Sequence, residues 1–227
     1  MTGTIDFSTV LASAVHDMKN SLCMLIQSID SLSNKLASHD QKDAEELARL
    51  HYEASRLNTN LLQLLTLYRA EKNQLPLNIE EHYIDDVIDE LIAKNELYIA
   101  NNSLDVEINL PEDLSWHFDI DMISNLVNDI FINALRYSHG KIKIAADIVD
   151  DQLVFLIEDN GDGFPDRMLQ IQNSEMQNLD LNAGRTGLGL FFARLIAAAH
   201  TNKSKAGSIH LQNGGELGGG VFKLLLP

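Results

Sequence analysis

A histidine with an acid beside it and an amide one helical turn away lies near the start of the chain, at His16, Asp17 and Asn20. His16 directly follows an apolar position of a helical repeat, so its imidazole is expected to point to solvent. An exposed imidazole with these neighbours can act as a nucleophile, and the same letters also fit an ordinary polar surface. The apolar positions alternate in spacings of four and three, as in a helix with a packed seam: Leu11, Val15, Met18, Leu22, Leu25, Ile29, Leu32 and Leu36.

A second polar group lies on a predicted helix at 120–137. Asp129 and Asn133 are one turn apart and share a face of that helix, with Arg136 and Tyr137 close to it. Oxygen-bearing side chains suit Mg²⁺ and a guanidinium suits phosphate, so the group fits a magnesium-bound triphosphate. A helix end with a few buried amides explains the same residues equally well.

A third group, Asp159, Gly161 and Gly163, directly follows an apolar strand. An acid at a strand end can accept a hydrogen bond from an exocyclic amine, and the glycines let the backbone approach a flat ring. A plain turn is the main competing interpretation. A calcium loop is excluded, because its further acids and terminal glutamate are absent.

A glycine-rich stretch, Gly184–Leu190, leads into an apolar helix. Backbone amides at a helix N-terminus form an anion site that the helix dipole assists, although a tight turn needs the same glycines. The stretch lacks the Gly-Lys-Ser/Thr ending of a Walker loop. It also follows a polar loop and not a parallel strand, so it does not fit the dinucleotide pattern.

The elements that position these groups fall into two parts. After a polar break at 37–42, a second helical repeat predicts an antiparallel hairpin with the first helix. A lone hairpin leaves half of its seam exposed, which favours a homodimer that forms a four-helix bundle. The second repeat consists of Leu47, Leu50, Ala54, Leu57, Leu61, Leu64 and Tyr68.

Pro76 marks the boundary, because proline ends the helical pattern, and the domains are predicted at 1–72 and 76–227. The second part mixes helices with mostly antiparallel strands, so we expect an α+β chain whose second domain is an α/β sandwich. Helices are predicted at 83–100, at 120–137 and up to Ala199. Strands are predicted at 77–79, 106–110, 116–118, 141–149, 152–158, 208–212 and 221–226.

Composition narrows the classes of partner. The net charge of −16 argues against nucleic acid or an anionic membrane as the main partner. Cys23 is the only cysteine, which excludes a disulfide framework and a thiolate metal cluster. No signal peptide and no apolar run of membrane-spanning length is visible, so we expect a cytoplasmic protein. Any sensor is expected elsewhere, on a separate protein or on a longer form of this chain.

The order of the motifs is more specific than any one of them. A histidine-bearing hairpin, an Asn-bearing helix, Asp-x-Gly-x-Gly at Asp159–Gly163 and Gly-Leu-Gly at Gly187–Gly189 together resemble a bacterial two-component sensor histidine kinase. The resemblance spans roughly residues 8–227 and reaches Gly218–Phe222 near the C-terminus. It implies a histidine-phosphotransfer and dimerisation hairpin followed by an ATP-binding domain of the gyrase, mismatch-repair and chaperone type.

The resemblance also implies roles in the hairpin. His16 would accept the γ-phosphate of ATP, and Asp17 would polarise its ring. Asn20 stands where such kinases place a group that orients water for dephosphorylating a response regulator. The implied partners are a second copy of the chain and the receiver domain of a response regulator.

In the ATP-binding domain, the resemblance makes Asn133 a Mg²⁺ ligand and Asp159 the reader of the adenine amine. Asp129 would bind the metal or promote hydrolysis, because related ATPases carry an acid there. Arg136 and Tyr137 would lie at the phosphates, and Gly161 and Gly163 beneath the ring. The phosphate site would be closed by Arg185, Thr186, Gly187, Leu188 and Gly189. Arg185 is included because its positive charge suits the γ-phosphate, more than because a family motif places a residue there.

Three departures leave two functions open. Ser21 replaces the proline usual after the histidine, Asp129 replaces a common asparagine, and the segment between Gly163 and Gly184 is short and lacks a phenylalanine motif. The leading hypothesis is an autophosphorylating kinase that, through Asn20, could also dephosphorylate its response regulator. The alternative is a phosphotransfer adaptor with a degenerate ATP-binding domain, which the short segment and the missing sensor favour and the intact Asn133 and Asp159 oppose.

Overall fold

The computed structural model divides the chain into two compact units, Met1–Leu75 and Pro76–Pro227. Among the described residues, no helix has both the length and the apolarity that a membrane span requires. The second unit is described over residues 77–171 and 186–227. The described residues of the first unit are Met18, Asn20–Leu22, Met24–Ile29, Leu32, Leu50, Ala54 and Leu57.

All described residues of the first unit are helical. Ile29 and Ala54 are buried together, at 8% and 4% exposure, and Ile26 packs against them. Ile29 belongs to the first predicted helix and Ala54 to the second. The antiparallel hairpin and the four-helix bundle of two copies stay predictions.

The second unit is an α+β sandwich. Its described strands are β1 (Glu80–Tyr83), β2 (Asp105–Asn109), β3 (Ser115–Phe118), β4 (Lys141–Val149), β5 (Gln152–Asp159), β6 (Thr201–Asn202), β7 (Lys205–Ala206), β8 (Ser208–Asn213) and β9 (Gly220–Leu226). Five of them form a mixed sheet in the order β2-β4-β5-β9-β8, in which the pair β2–β4 is parallel and the other three pairs are antiparallel. The pairs β1–β3 and β6–β7 form separate two-stranded sheets.

Helices and sheet share one hydrophobic core. Alternate strand residues point to opposite faces of a sheet, and one face of each central strand is buried while the other is partly exposed. The described helices are α1 (Ile84–Asn101), α2 (Ile120–Tyr137), α3 (Asp166–Ile171) and α4 (Thr186–Ala199). The longest buried stripe on a helix, from Ile123 to Leu135, lies on α2, which contacts both β5 and α4.

The predicted helix at 120–137 and the predicted β4–β5 hairpin are confirmed. The hairpin turn places Asp150 and Asp151 at φ values of 53° and 58°, as a two-residue turn of the I′ type requires. The strand predicted at 77–79 is wrong, because the strand occupies Glu80–Tyr83 instead. Asn78 donates its backbone N–H to Asp119 Oδ2 at 2.8 Å, so this segment is held by a side chain and not by a sheet.

A buried histidine joins the start of α2 to the end of α4. His200 is 3% exposed; its Nδ1 lies 2.8 Å from the carbonyl of Ile196, and its Nε2 lies 3.1 Å from the backbone N–H of Asp119. Nδ1 therefore carries the proton and Nε2 accepts, which is possible only in the neutral ring. Burial lowers the pKa of His200 below its usual value, and the opposing attraction of Asp119 is the smaller effect.

The stability of the second unit should therefore decrease as the pH falls below about 6.5, where an unfolded histidine takes up a proton and the buried one resists it. Replacing the ring in His200→Gln should destabilise the protein by about 1 to 3 kcal/mol at neutral pH, because buried polar groups lose partners. The same variant should lose part of the decrease seen on acidification. Thermal unfolding of the full chain between pH 5 and 8 measures both effects.

The matched control is His117→Gln, since His117 is exposed on β3. This variant should keep the pH dependence of the parent. An unchanged pH dependence in His200→Gln would contradict the assignment of the neutral ring.

Candidate nucleotide-binding site

Asp159 ends strand β5 and forms the centre of the candidate site. The residue lies on the same face of the sheet as Ile157, opposite Ile142 of β4, and is partly exposed. This face is the one that α2 and α4 cover. The end of β5 therefore presents a carboxylate at the edge of the core, between sheet and helices.

Backbone N–H groups from two segments hold this carboxylate. Asp159 Oδ1 accepts hydrogen bonds from Gly161 at 2.7 Å and from Gly220 at 3.3 Å. The carbonyl of Asp159 accepts another from Gly219 at 3.0 Å. No hydrogen bond to Asp159 Oδ2 is found among the described residues, so this oxygen remains an acceptor for a ligand.

Close backbone approach explains the glycines at this point. A Cβ on Gly161 would collide with the carbonyl oxygen of Tyr137, and one on Gly219 with the carbonyl oxygen of Asp159. Tyr137, at the end of α2, is thereby brought against Asp159 at the end of β5 and Gly161 of the loop after it. The glycines at these points allow the backbone segments of the site to pack against one another.

Two asparagines that the sequence reasoning missed fasten the loops of the site. Asn160 Oδ1 accepts from the backbone N–H groups of His139 and Lys141, at 2.9 and 3.0 Å, and so holds the turn after α2. Asn213 Oδ1 accepts from Phe164 N at 2.7 Å and its amide donates to Phe164 O at 2.8 Å. Gly163, with φ of 80°, lies so close to Asn213 that an added Cβ would come within 2.7 Å of that side chain. In the sequence, the only indication of these contacts is that a polar residue stands at the end of each strand, Asn160 after β5 and Asn213 at the end of β8.

The polar residues of α2 lie on the face away from the core. Asn133 and Arg136 are exposed, and Asp129 is partly exposed. Asp129 and Asn133 are one turn apart, as the sequence predicts. Among the described residues no cluster of three histidine, cysteine, aspartate or glutamate side chains could hold a metal ion. A Mg²⁺ at Asp129 and Asn133 would therefore need phosphate oxygens and water as its remaining ligands, which is its usual coordination.

The predicted glycine stretch contributes the first turn of a helix. Thr186, Gly187 and Leu188 are described by backbone alone and open α4, and Gly189 follows in the same turn. The first N–H groups of a helix have no partner within it, so this turn suits an anion. The donors at Gly187–Gly189 are those of a helical turn, whereas the sequence predicts a glycine loop. His16, Asp17 and Arg185 lie outside the described residues. Asn20 is exposed on the helix of the first unit.

The chain was compared with known proteins. Residues 118–227 match the family described as histidine kinase-, DNA gyrase B-, and HSP90-like ATPase. The sensor protein SrrB of Staphylococcus aureus strain NCTC 8325 / PS 47 is 26% identical over 96% of this chain. The chain spans 37% of the length of that relative.

Solved structures show the same fold. The histidine kinase AdeS of Acinetobacter baumannii superposes with a TM-score of 0.60 at 24% identity, covering 91% of this chain and 95% of that one. Full-length ShkA in complex with AMPPNP gives a TM-score of 0.63 at 17% identity, covering 96% and 45%. Residues 118–227 therefore match the histidine kinase-, DNA gyrase B- and HSP90-like ATPases, and the chain as a whole is similar to two-component histidine kinases.

Proposed function

We propose that the chain is an ATP-dependent, autophosphorylating protein-histidine kinase, with a phosphotransfer hairpin at 1–72 and a catalytic domain at 76–227. His16 receives the γ-phosphate and passes it to an aspartate of a response regulator. The observation that carries the proposal is the carboxylate of Asp159, whose Oδ1 is held by backbone N–H groups while Oδ2 is left for a ligand.

The site at Asp159 suits adenine. An exocyclic amine donates to a carboxylate oxygen, whereas a carbonyl at the same ring position would be repelled by it. Gly161 and Gly163 form the backbone beneath the ring. The solved structure of ShkA contains an ATP analogue, AMPPNP, which supports this choice of nucleotide.

The phosphates extend toward α2 and the start of α4. Arg136 and Tyr137 contact them, and the N–H groups of Gly187, Leu188 and Gly189 bind them with help from the helix dipole. Arg185 and Thr186, which precede Gly187 in the sequence, also bind the phosphates in this proposal. Asn133 and Asp129 would hold Mg²⁺, which would neutralise phosphate charge.

The first unit acts as a homodimer. Ile29 is buried, whereas Met18, Leu25 and Leu32, which are spaced by seven residues, are between 47% and 49% exposed. Leu50 and Leu57 of the second helical repeat have the same spacing and are 51% and 52% exposed. Apolar stripes with heptad spacing are the surfaces through which helices associate, so a second copy covers them.

Phosphoryl transfer then proceeds in two steps. A ring nitrogen of His16 forms a bond to the γ-phosphorus while the bond to the β,γ-bridging oxygen breaks and ADP leaves; Asp17 holds the other ring N–H. An aspartate of the receiver domain next attacks the phosphorus and the bond to His16 breaks. In a separate phosphatase reaction, Asn20 orients a water molecule that attacks the phosphorus of the phosphorylated receiver aspartate; the bond to the aspartate oxygen breaks and inorganic phosphate leaves.

Incubation with γ-labelled ATP tests the proposal. The parent should acquire acid-labile, base-stable label, because a phosphorus–nitrogen bond breaks in acid. His16→Ala should acquire none, since no other residue accepts the phosphate in this proposal. His51→Ala is the matched control and should label as the parent does.

Absence of label in the parent, together with absence of ATP binding in calorimetry, would contradict the kinase. In that case, transfer of label from a phosphorylated receiver domain to His16 would identify the chain as a phosphotransfer adaptor.

Asp159→Asn tests the recognition of the base. The amide keeps an acceptor for the backbone but sets a donor against the adenine amine, so ADP affinity should fall about 10- to 100-fold. Calorimetric titration with ADP gives this value. Asp162→Asn, at an exposed position of the same loop, should bind as the parent does; equal affinity in both variants would reject Asp159 as the reader.

Asp129→Asn separates the two roles of that acid. If Asp129 activates water, ATP hydrolysis should fall about 100-fold or more while ADP affinity is kept. Steady-state release of phosphate measures the turnover. Unchanged turnover would remove the hydrolytic role and leave metal binding.

A further inference from the structure

Glu158 is a buried carboxylate next to Asp159 that the proposed reaction does not use. It is 3% exposed and ends the outer row of β5. Because successive strand residues point to opposite faces, Glu158 and Asp159 project from the two sides of the sheet. A carboxylate loses much of its hydration on such burial, so its hydrogen-bond partners matter.

Those partners belong to the segment 214–219 between β8 and β9, here called the clamp loop. Glu158 Oε1 accepts the backbone N–H of Leu217. Gly215, at φ of 78°, lies against the same carboxylate, and an added Cβ would collide with it. The clamp loop is thus fastened to the outer face of the sheet.

Lys143 adds a second attachment on the same face. Lys143 of β4 lies opposite Glu158 of β5 in the strand register, and its Nζ forms an ion pair with Glu216 Oε2 at 2.5 Å. The hydrogen bond to Glu216 raises the pKa of Lys143, so the lysine stays charged. Glu107 of β2 lies at 3.8 Å from the same Nζ but contacts no residue of the clamp loop among the described residues.

The other end of the clamp loop reaches the nucleotide face. Gly219 donates to the carbonyl of Asp159 at 3.0 Å, and Gly220, the next residue, donates to Asp159 Oδ1 at 3.3 Å. Gly214 donates to the carbonyl of Gly219 at 2.9 Å and closes the loop. Glu158 therefore holds the clamp loop at Leu217, and the end of the loop at Gly219, with Gly220 of β9, is bonded to the carbonyl and the carboxylate of Asp159.

We infer that Glu158 is a positioning residue for base recognition: through Leu217 it fixes the clamp loop, which in turn holds the carboxylate of Asp159 in the orientation that leaves Oδ2 for adenine. The inference rests on the proposed function. Glu158 itself touches no nucleotide. Without its carboxylate, the clamp loop loses its attachment at Leu217, and the hydrogen bond from Gly220 to Asp159 Oδ1, at 3.3 Å the longer of the two, weakens.

Two variants of Glu158 test this role. Glu158→Ala removes the acceptor, whereas Glu158→Gln keeps an oxygen for Leu217 and should behave as the parent does. The readout is the ratio of affinities for ADP and inosine diphosphate, in which a carbonyl replaces the amine. Glu158→Ala should weaken ADP about 10-fold and leave inosine diphosphate within about 2-fold, so the ratio falls.

A merely structural role would weaken both nucleotides equally or lower only the melting temperature. Glu107→Ala, in the same row and also beside Lys143, is the matched control and should keep the ratio. Gly215→Ala attacks the same contact from the clamp loop and replaces Glu158→Ala if that variant does not fold. An unchanged ratio in the variants of Glu158 and Gly215 overturns the inference.

Amide hydrogen exchange of Gly219 and Gly220 in the nucleotide-free chain gives an independent readout. Their exchange should accelerate about 10-fold in Glu158→Ala and not in Glu158→Gln. Unchanged exchange overturns the inference even if the kinase is correct. If the parent binds no nucleotide, the proposed function fails while faster exchange still identifies the clamp.

Discussion

Two backbone N–H groups from distant parts of the chain converge on one oxygen of Asp159, and the candidate site depends on this junction. Gly161 belongs to the loop after β5, and Gly220 opens β9. A carboxylate that accepts two amide hydrogen bonds is fixed in orientation, because rotation would leave buried donors without a partner. The remaining oxygen is thereby aimed and available, which a mobile surface carboxylate is not.

The strand that carries Asp159 gives the site its rigidity. β5 lies at the centre of the five-stranded sheet, between β4 and β9. Its inner residues belong to the core, and Glu158 of its outer row contacts the clamp loop. Because successive strand residues point to opposite faces, Glu158 holds a loop on one face and Asp159 presents a carboxylate to the candidate site on the other.

The first unit poses a different physical problem. The described core of this unit consists of Ile29 and Ala54 with Ile26 beside them. Apolar side chains with heptad spacing remain about half exposed, and such stripes are the surfaces through which helices associate. In the proposed kinase, the phosphate acceptor on this unit must be brought to the nucleotide, because phosphoryl transfer depends mainly on positioning.

The sequence by itself determined the α+β class, the helix at 120–137, the β4–β5 hairpin and the order of motifs that indicates a histidine kinase, because periodicity and turn residues act locally. It missed α3 and the small β6–β7 sheet, whose few residues are too short to show a period. Only the tertiary structure decided that β2 pairs parallel to β4, that Gly220 meets Asp159, and that Glu158, Asn160 and Asn213 fasten the loops. These contacts join residues far apart in the chain, and such pairs follow from strand register and packing, which no local pattern encodes.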